Sequence, residues 1–163
     1  MQASLPAGAT GYWEPVAGVT FEPSSSLYAE GSNDPNAKVS GLSNSVANLF
    51  KWHVSLDGCD QKDEVVIYNH TPDVAKITTE SQSICEDNIT LTAVKPTNGT
   101  GVWSDNGAAK WNGTESSEQA TASSLKPNFT TKFTWTVTRK RTADGDSDND
   151  VCTSSASVDI TST

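Results

Sequence analysis

Long apolar runs are missing from this chain. No stretch of its 163 residues approaches the roughly 20 consecutive apolar residues that a membrane-spanning helix needs. Positive charge is scarce: 11 Lys and Arg stand against 20 Asp and Glu, a net charge of −9 that argues against nucleic acid or an anionic membrane as partner. Histidine is limited to His53 and His70, and the three cysteines form no C-x-x-C pair, so a metal site built on imidazole or thiolate is not expected. Nucleophilic catalysis needs a base beside a Ser or Cys. His53 falls on the outward phase of its strand and His70 in a linker, and no G-x-S-x-G, P-loop or H-E-x-x-H occurs. An enzyme is not expected. Apolar residues periodic at 3.6 are absent too, which leaves no amphipathic helix. Residues 1–6 have neither the basic start nor the apolar core of a secretion signal. Taken alone, that points to the cytosol.

What the chain has instead is a strand pattern stated twice. Phe50-Lys51-Trp52-His53-Val54 and Phe133-Thr134-Trp135-Thr136-Val137 share F-x-W-x-V, the period-2 alternation of a strand with one buried face. A buried Trp withdraws about 150–250 Å² from water at about 25 cal/mol per Å², which anchors a core with a few kcal/mol. The rest is rich in Ser, Thr, Asn, Asp and Gly, the vocabulary of short strands and turns.

The repeat extends beyond the two strands. Setting Trp13 on Trp103 brings Pro6 onto Pro96, Gly11 onto Gly101 and Phe21 onto Trp111. Trp52 on Trp135 brings Ala37 onto Ala120, Leu42 onto Leu125 and Phe50 onto Phe133. Cys59 on Cys152 brings Val65 onto Val158 and Ile67 onto Ile160. Length differences fall in the connections 24–36 and 139–151, as expected for duplicated β domains. The expected fold is therefore all-β: two tandem Ig-like β-sandwich repeats, 1–71 and 72–163, joined at Pro72. Strands are expected at 2–5, 11–14, 18–22, 37–40, 49–56 and 64–68. In the second repeat they are expected at 75–78, 82–84, 89–94, 101–104, 109–112, 121–124, 131–140 and 152–161. Met1 falls opposite Leu91, so the first repeat is expected to be truncated at its N-terminus and the chain to be an internal segment.

The same register predicts a Cys85–Cys152 disulfide with Cys59 left as a free thiol, its partner lying before Met1. The alternative is three buried free thiols. Trp13, Trp52, Trp103 and Trp135 are expected in the two cores rather than on ligand platforms. Asp144, Asp146, Asp148 and Asp150 place a carboxylate at every second position of one loop. That rhythm suits Ca²⁺, but the bidentate Glu that completes an EF-hand loop is missing, and a solvated loop tip beside Arg139, Lys140 and Arg141 is the plainer reading. Asn69, Asn88, Asn98, Asn112 and Asn128 head N-x-S/T sequons, which this composition also produces by chance.

In order, Ile84-Cys85, Ile89-Thr90-Leu91-Thr92-Ala93, Pro96, Gly99-Thr100-Gly101-Val102-Trp103, the Thr-rich strand around Trp135, and Cys152 before Val158-Asp159-Ile160 resemble a known pattern. Val65-Val66-Ile67-Tyr68-Asn69-His70-Thr71-Pro72 adds the exit of the first repeat. The chain resembles the tandem Ig-like or PKD-like repeats of large Bacteroidota surface adhesins, including the SprB-type gliding-motility adhesins. The resemblance implies type IX export, a place on the outer cell surface and service as a stalk or adhesive rod in attachment or gliding. Partners would be neighbouring repeats and a surface polysaccharide or other cell-surface ligand. The competing reading is a carbohydrate-binding sandwich, aided by loop aromatics or calcium.

Overall fold

The computed structural model describes residues 1–107, 109–140 and 151–163. The chain is all-β, and the one helical element among the described residues is a 3-10 turn at Ser26–Tyr28. It divides into two units, Met1–Asn69 and His70–Thr163, each with its own core.

The N-terminal unit has five strands: β1 (Thr10–Trp13), β2 (Thr20–Glu22), β3 (Lys38–Ser40), β4 (Asn48–Leu56) and β5 (Cys59–Ile67). One antiparallel sheet runs β1-β4-β5, and β2 pairs β3 in a second. Trp13, Phe50 and Trp52 from the first sheet pack with Phe21 from the second and with Ala37. Asp57 and Gly58, with φ of 51° and 79°, close the β4–β5 hairpin in the left-handed conformation that a two-residue turn requires. The ladder begins at Leu56 opposite Cys59, earlier than the expected residue 64. Residues 59–63 are polar and on a sheet edge, so no alternation marks them as strand.

The C-terminal unit has six strands: β6 (Gln82–Ile84), β7 (Asn88–Thr92), β8 (Thr100–Asp105), β9 (Gln119–Ser123), β10 (Phe129–Lys140) and β11 (Val151–Ser162). Its main sheet runs β6-β11-β10-β8, antiparallel except for the parallel β6–β11 pair, and β7 pairs β9 in the second sheet. The strands expected at 75–78 and 109–112 shrink to single bridges, Ile77 with Ala93 and Lys110 with Ser123. On the outward face of β10 and β11, hydroxyls meet across the strands: Thr130 with Thr161 at 2.8 Å, Thr134 with Ser157 at 2.9 Å and Thr136 with Ser155 at 3.1 Å. These pairs explain the Thr-rich half of the alternation.

Both units place one Trp opposite another across neighbouring strands. Trp13 faces Trp52 and Trp103 faces Trp135. Trp52 in turn lies opposite Asp63, and Trp135 opposite Ala156, positions equally far beyond Cys59 and Cys152. The glycines of the two G-x-W stretches explain how the indoles fit. A Cβ on Gly11 would stand 2.5 Å from Trp52 Cζ2, and one on Gly101 would collide with Trp135 Cζ2. Each bare glycine backbone is the bed on which the indole of the next strand lies.

Candidate functional site

Trp13, Trp52, Trp103 and Trp135 are at most 5 % exposed. Trp13 and Trp52 tilt against each other at 5.1 Å and 52°, Trp103 and Trp135 at 5.1 Å and 49°. Trp52 donates its indole N–H to the Ser4 carbonyl and Trp103 to that of Ser117. Trp111 stands edge-on to Phe133 at 5.5 Å and donates to Asp105, much as its register partner Phe21 stands edge-on to Phe50 at 6.0 Å. These aromatics pack in the two cores.

The expected Cys85–Cys152 bridge is not present. Cys59, Cys85 and Cys152 are free and exposed. Cys152 pairs with Arg139 near the start of β11, whereas Cys85 follows Ile84, whose partner Ser162 ends that strand. β11 is 12 residues long, so at about 3.3 Å per residue its ends stand roughly 36 Å apart. Bridged cysteines keep their Cα atoms within about 7 Å. Equivalent places in two repeats did not translate into neighbouring places in one. The cysteines are not the buried thiols of the alternative reading either. Asp144, Asp146, Asp148 and Asp150 lie outside the described residues. Among the described residues no group of three or more His, Cys, Asp or Glu converges as a metal site would.

The N-terminal unit holds a groove of about 450 Å³ between residues 1–4 and β5, with Trp13, Trp52, Val54 and Val65 among its lining. Its walls follow from the strand order. Met1 takes the place that Leu91 holds in the other unit: its terminal ammonium donates to the Ala37 carbonyl at 2.7 Å, where Leu91 pairs with Ala120. Ala3 N–H donates to Pro35 as Ala93 N–H donates to Glu118, both at 2.9 Å. β5 ends its sheet, with no strand beyond it among the described residues. In the C-terminal unit, residues 73–87 cover the equivalent floor. Ala75 N–H donates to Ser154 Oγ, Val94 N–H to the Lys76 carbonyl, and Asp159 N–H to Ser81 Oγ, before β6 joins β11. The segment thus leans on one sheet and then joins the other. Val158 is 5 % exposed under it, whereas the corresponding Val65 is 41 % exposed.

One end of that covering segment is tied by Asp73. Its carboxylate accepts the backbone N–H of Thr97 at 2.6 Å and of Asn98 at 2.9 Å, and the Asn98 side-chain amide at 3.1 Å. The Asn98 backbone bond, its side-chain amide and the Thr97 N–H, helped by the Arg139 charge, hold the carboxyl below its ordinary value.

A second feature lies on the outward face of the N-terminal unit. Tyr12 stacks on Tyr28 at 4.4 Å and on His53 at 4.8 Å, and His53 Nε2 meets Glu14 Oε1 at 2.5 Å. Tyr12 and His53 are cross-strand partners, which places His53 on the expected outward phase. Tyr28 arrives from the 3-10 turn in the 24–36 connection, where no periodicity exists to reveal it. Beside the stack, Thr10, Ser55 and Asp60 border a hollow of about 210 Å³.

No family model matches the chain, and no curated protein does. Among solved structures it is similar to human protocadherin-24 EC1-2 at 10 % identity and a TM-score of 0.45, over 95 % of this chain and 81 % of that one. It is also similar to mouse protocadherin-24 EC1-3 at 16 % identity and a TM-score of 0.37, over 96 % and 59 %. Likenesses of this size carry no functional argument. The chain's own geometry does.

Proposed function

We propose that the chain is a repeat segment of a large secreted cell-surface adhesin, acting as a stalk or adhesive rod in surface attachment or gliding. The observation that carries this reading is the Trp–Trp pair that organises each unit. Each unit spends its large aromatics on its own core. Modules with separate cores lengthen a chain by repetition without redesign of a shared core. The motif resemblance supplies the finer part: Bacteroidota origin, type IX export and neighbouring repeats as the nearest partners. Antibodies raised against residues 70–163 should label intact cells that express the parent protein, and deleting its gene should impair attachment or gliding. Labelling that requires lysis would rule the reading out.

A second reading draws on the Tyr12–Tyr28–His53 stack. Tyrosine rings beside the Glu14 and Asp60 carboxylates are the side chains that hold a sugar: ring faces for its C–H groups, carboxylates for its hydroxyls. Tyr12 is the ring shared by both stacked pairs, so Tyr28 is the one left to receive a pyranose. A glycan array run with and without calcium, using the chain and its Tyr28→Ala variant, decides this. Binding that Tyr28→Ala abolishes supports a carbohydrate module, and binding that it leaves intact removes the site.

A further inference from the structure

Asn-Gly occurs at Asn98-Gly99, Asn106-Gly107 and Asn112-Gly113. Glycine has no Cβ, so its backbone nitrogen can approach the carboxamide of the preceding asparagine and react with it. We propose that Asn112 is the site at which this chain modifies itself, by ring closure on the Gly113 nitrogen, to give an aspartyl or isoaspartyl residue. The inference is independent of both readings above, because its reactants are the turn itself and water.

The step balances without a cofactor or an oxidant. The Gly113 nitrogen forms a bond to Asn112 Cγ and gives up its proton to solvent. The Cγ–Nδ2 bond breaks, and Nδ2 takes up a proton and leaves as ammonia. Water then adds to one of the two carbonyls of the resulting succinimide. Breaking the new N–Cγ bond restores an ordinary aspartyl link. Breaking the original peptide bond leaves a β-linked isoaspartyl residue. Either product adds one negative charge to a chain that already carries −9.

The three pairs are alike in sequence, and hydrogen bonding separates them. Asn98 Nδ2 donates to Asp73 Oδ1 at 3.1 Å, and the Asn98 backbone N–H donates to Asp73 Oδ2 at 2.9 Å. Gly99 is packed so closely on β10 that a Cβ would stand 2.8 Å from the Thr138 carbonyl oxygen. Asn106 Oδ1 accepts the Lys132 N–H at 2.8 Å. There the attacking nitrogen is engaged as well, since the Gly107 N–H donates to Asp105 Oδ1 at 2.8 Å. Asn106 and Asn112 are both exposed, so exposure does not choose between them. What distinguishes Asn112 is that neither its carboxamide nor the Gly113 N–H has a hydrogen-bond partner among the described residues. A Cβ on Gly113 would meet nothing within 4 Å, so the turn has room to move. Asn112 also holds φ at 51°, a left-handed conformation that is costly for a residue with a Cβ. The turn is closed by Thr114, whose N–H and Oγ1 both donate to the Trp111 carbonyl, at 3.1 Å and 2.6 Å. Intramolecular attack needs the reacting atoms about 3–3.5 Å apart, which a carboxamide tied elsewhere does not reach.

The test incubates the full chain under native conditions at mildly alkaline pH. Positions 98, 106 and 112 are followed by peptide mapping that separates aspartyl from isoaspartyl products. Conversion at 112 should run about tenfold or more ahead of conversion at 98 and 106. In denaturant the three rates should draw together, because every Asn-Gly pair is then equally free. Asp73→Ala, which removes the tie on Asn98, should raise conversion at 98 alone. Conversion at 98 or 106 that matches or exceeds that at 112 in the native chain overturns the proposal. So does a native chain unchanged at 112 while the denatured chain converts there.

Discussion

A Cβ on Gly101 would be driven into the Trp135 indole, and one on Gly11 into that of Trp52. The G-x-W and F-x-W-x-V stretches are therefore two halves of one device, and the smaller half is as demanding as the larger. Gly101→Ala should destabilise the C-terminal unit by about 1–3 kcal/mol through overpacking, read from its denaturation midpoint. Trp135→Ala should cost that unit about 3–5 kcal/mol. A Trp135 variant of unchanged stability that lost a ligand would instead make the indole a binding platform. Asp73 contributes in a pH-dependent way. Its folded pKa lies below the ordinary value of 3.8, so its stabilisation is full above that value and is lost as pH falls through the folded pKa. Asp73→Asn should therefore lower the melting temperature of the C-terminal unit at neutral pH, with the gap to the wild type closing in strong acid. A gap that persists there would mean that the lost charge is not its cause. The three cysteines, free and exposed, should all react with a thiol reagent in the native chain.

At the scale of elements, what the sequence made legible was the strands that alternate. β4 and β10 bury Phe and Trp on one face, and their period-2 pattern places them within a residue or two. The Trp13–Trp52 and Trp103–Trp135 partnerships are not written in the alternation itself, but they follow once the strands adjacent in the repeat are paired. The start of β5 was hidden, because an edge strand open on both faces has no pattern to show. Residues 75–78 and 109–112 carry strand-like composition yet make one bridge each, a matter of which neighbours lie within reach rather than of local preference. The disulfide failed for a similar reason: a register between repeats fixes equivalence, and β11 is long enough to keep equivalent cysteines at opposite ends. The Tyr28 ring reached Tyr12 from an aperiodic loop, and the groove was legible only as Met1 falling opposite Leu91.

At the scale of the whole molecule, two units repeat one plan, each built around its own tryptophan pair. Among the described residues the core of the C-terminal unit is built from its own side chains, so residues 70–163 expressed alone should fold with the cooperative transition they show in the full chain. The central claim is that each unit stands on its own tryptophan pair, and hydrogen exchange on the full chain carrying Trp135→Ala tests it most directly. The amides of Phe129–Lys140 should lose protection while those of Asn48–Leu56 keep theirs. Loss of protection in both units together would contradict this, because the two cores would then behave as one.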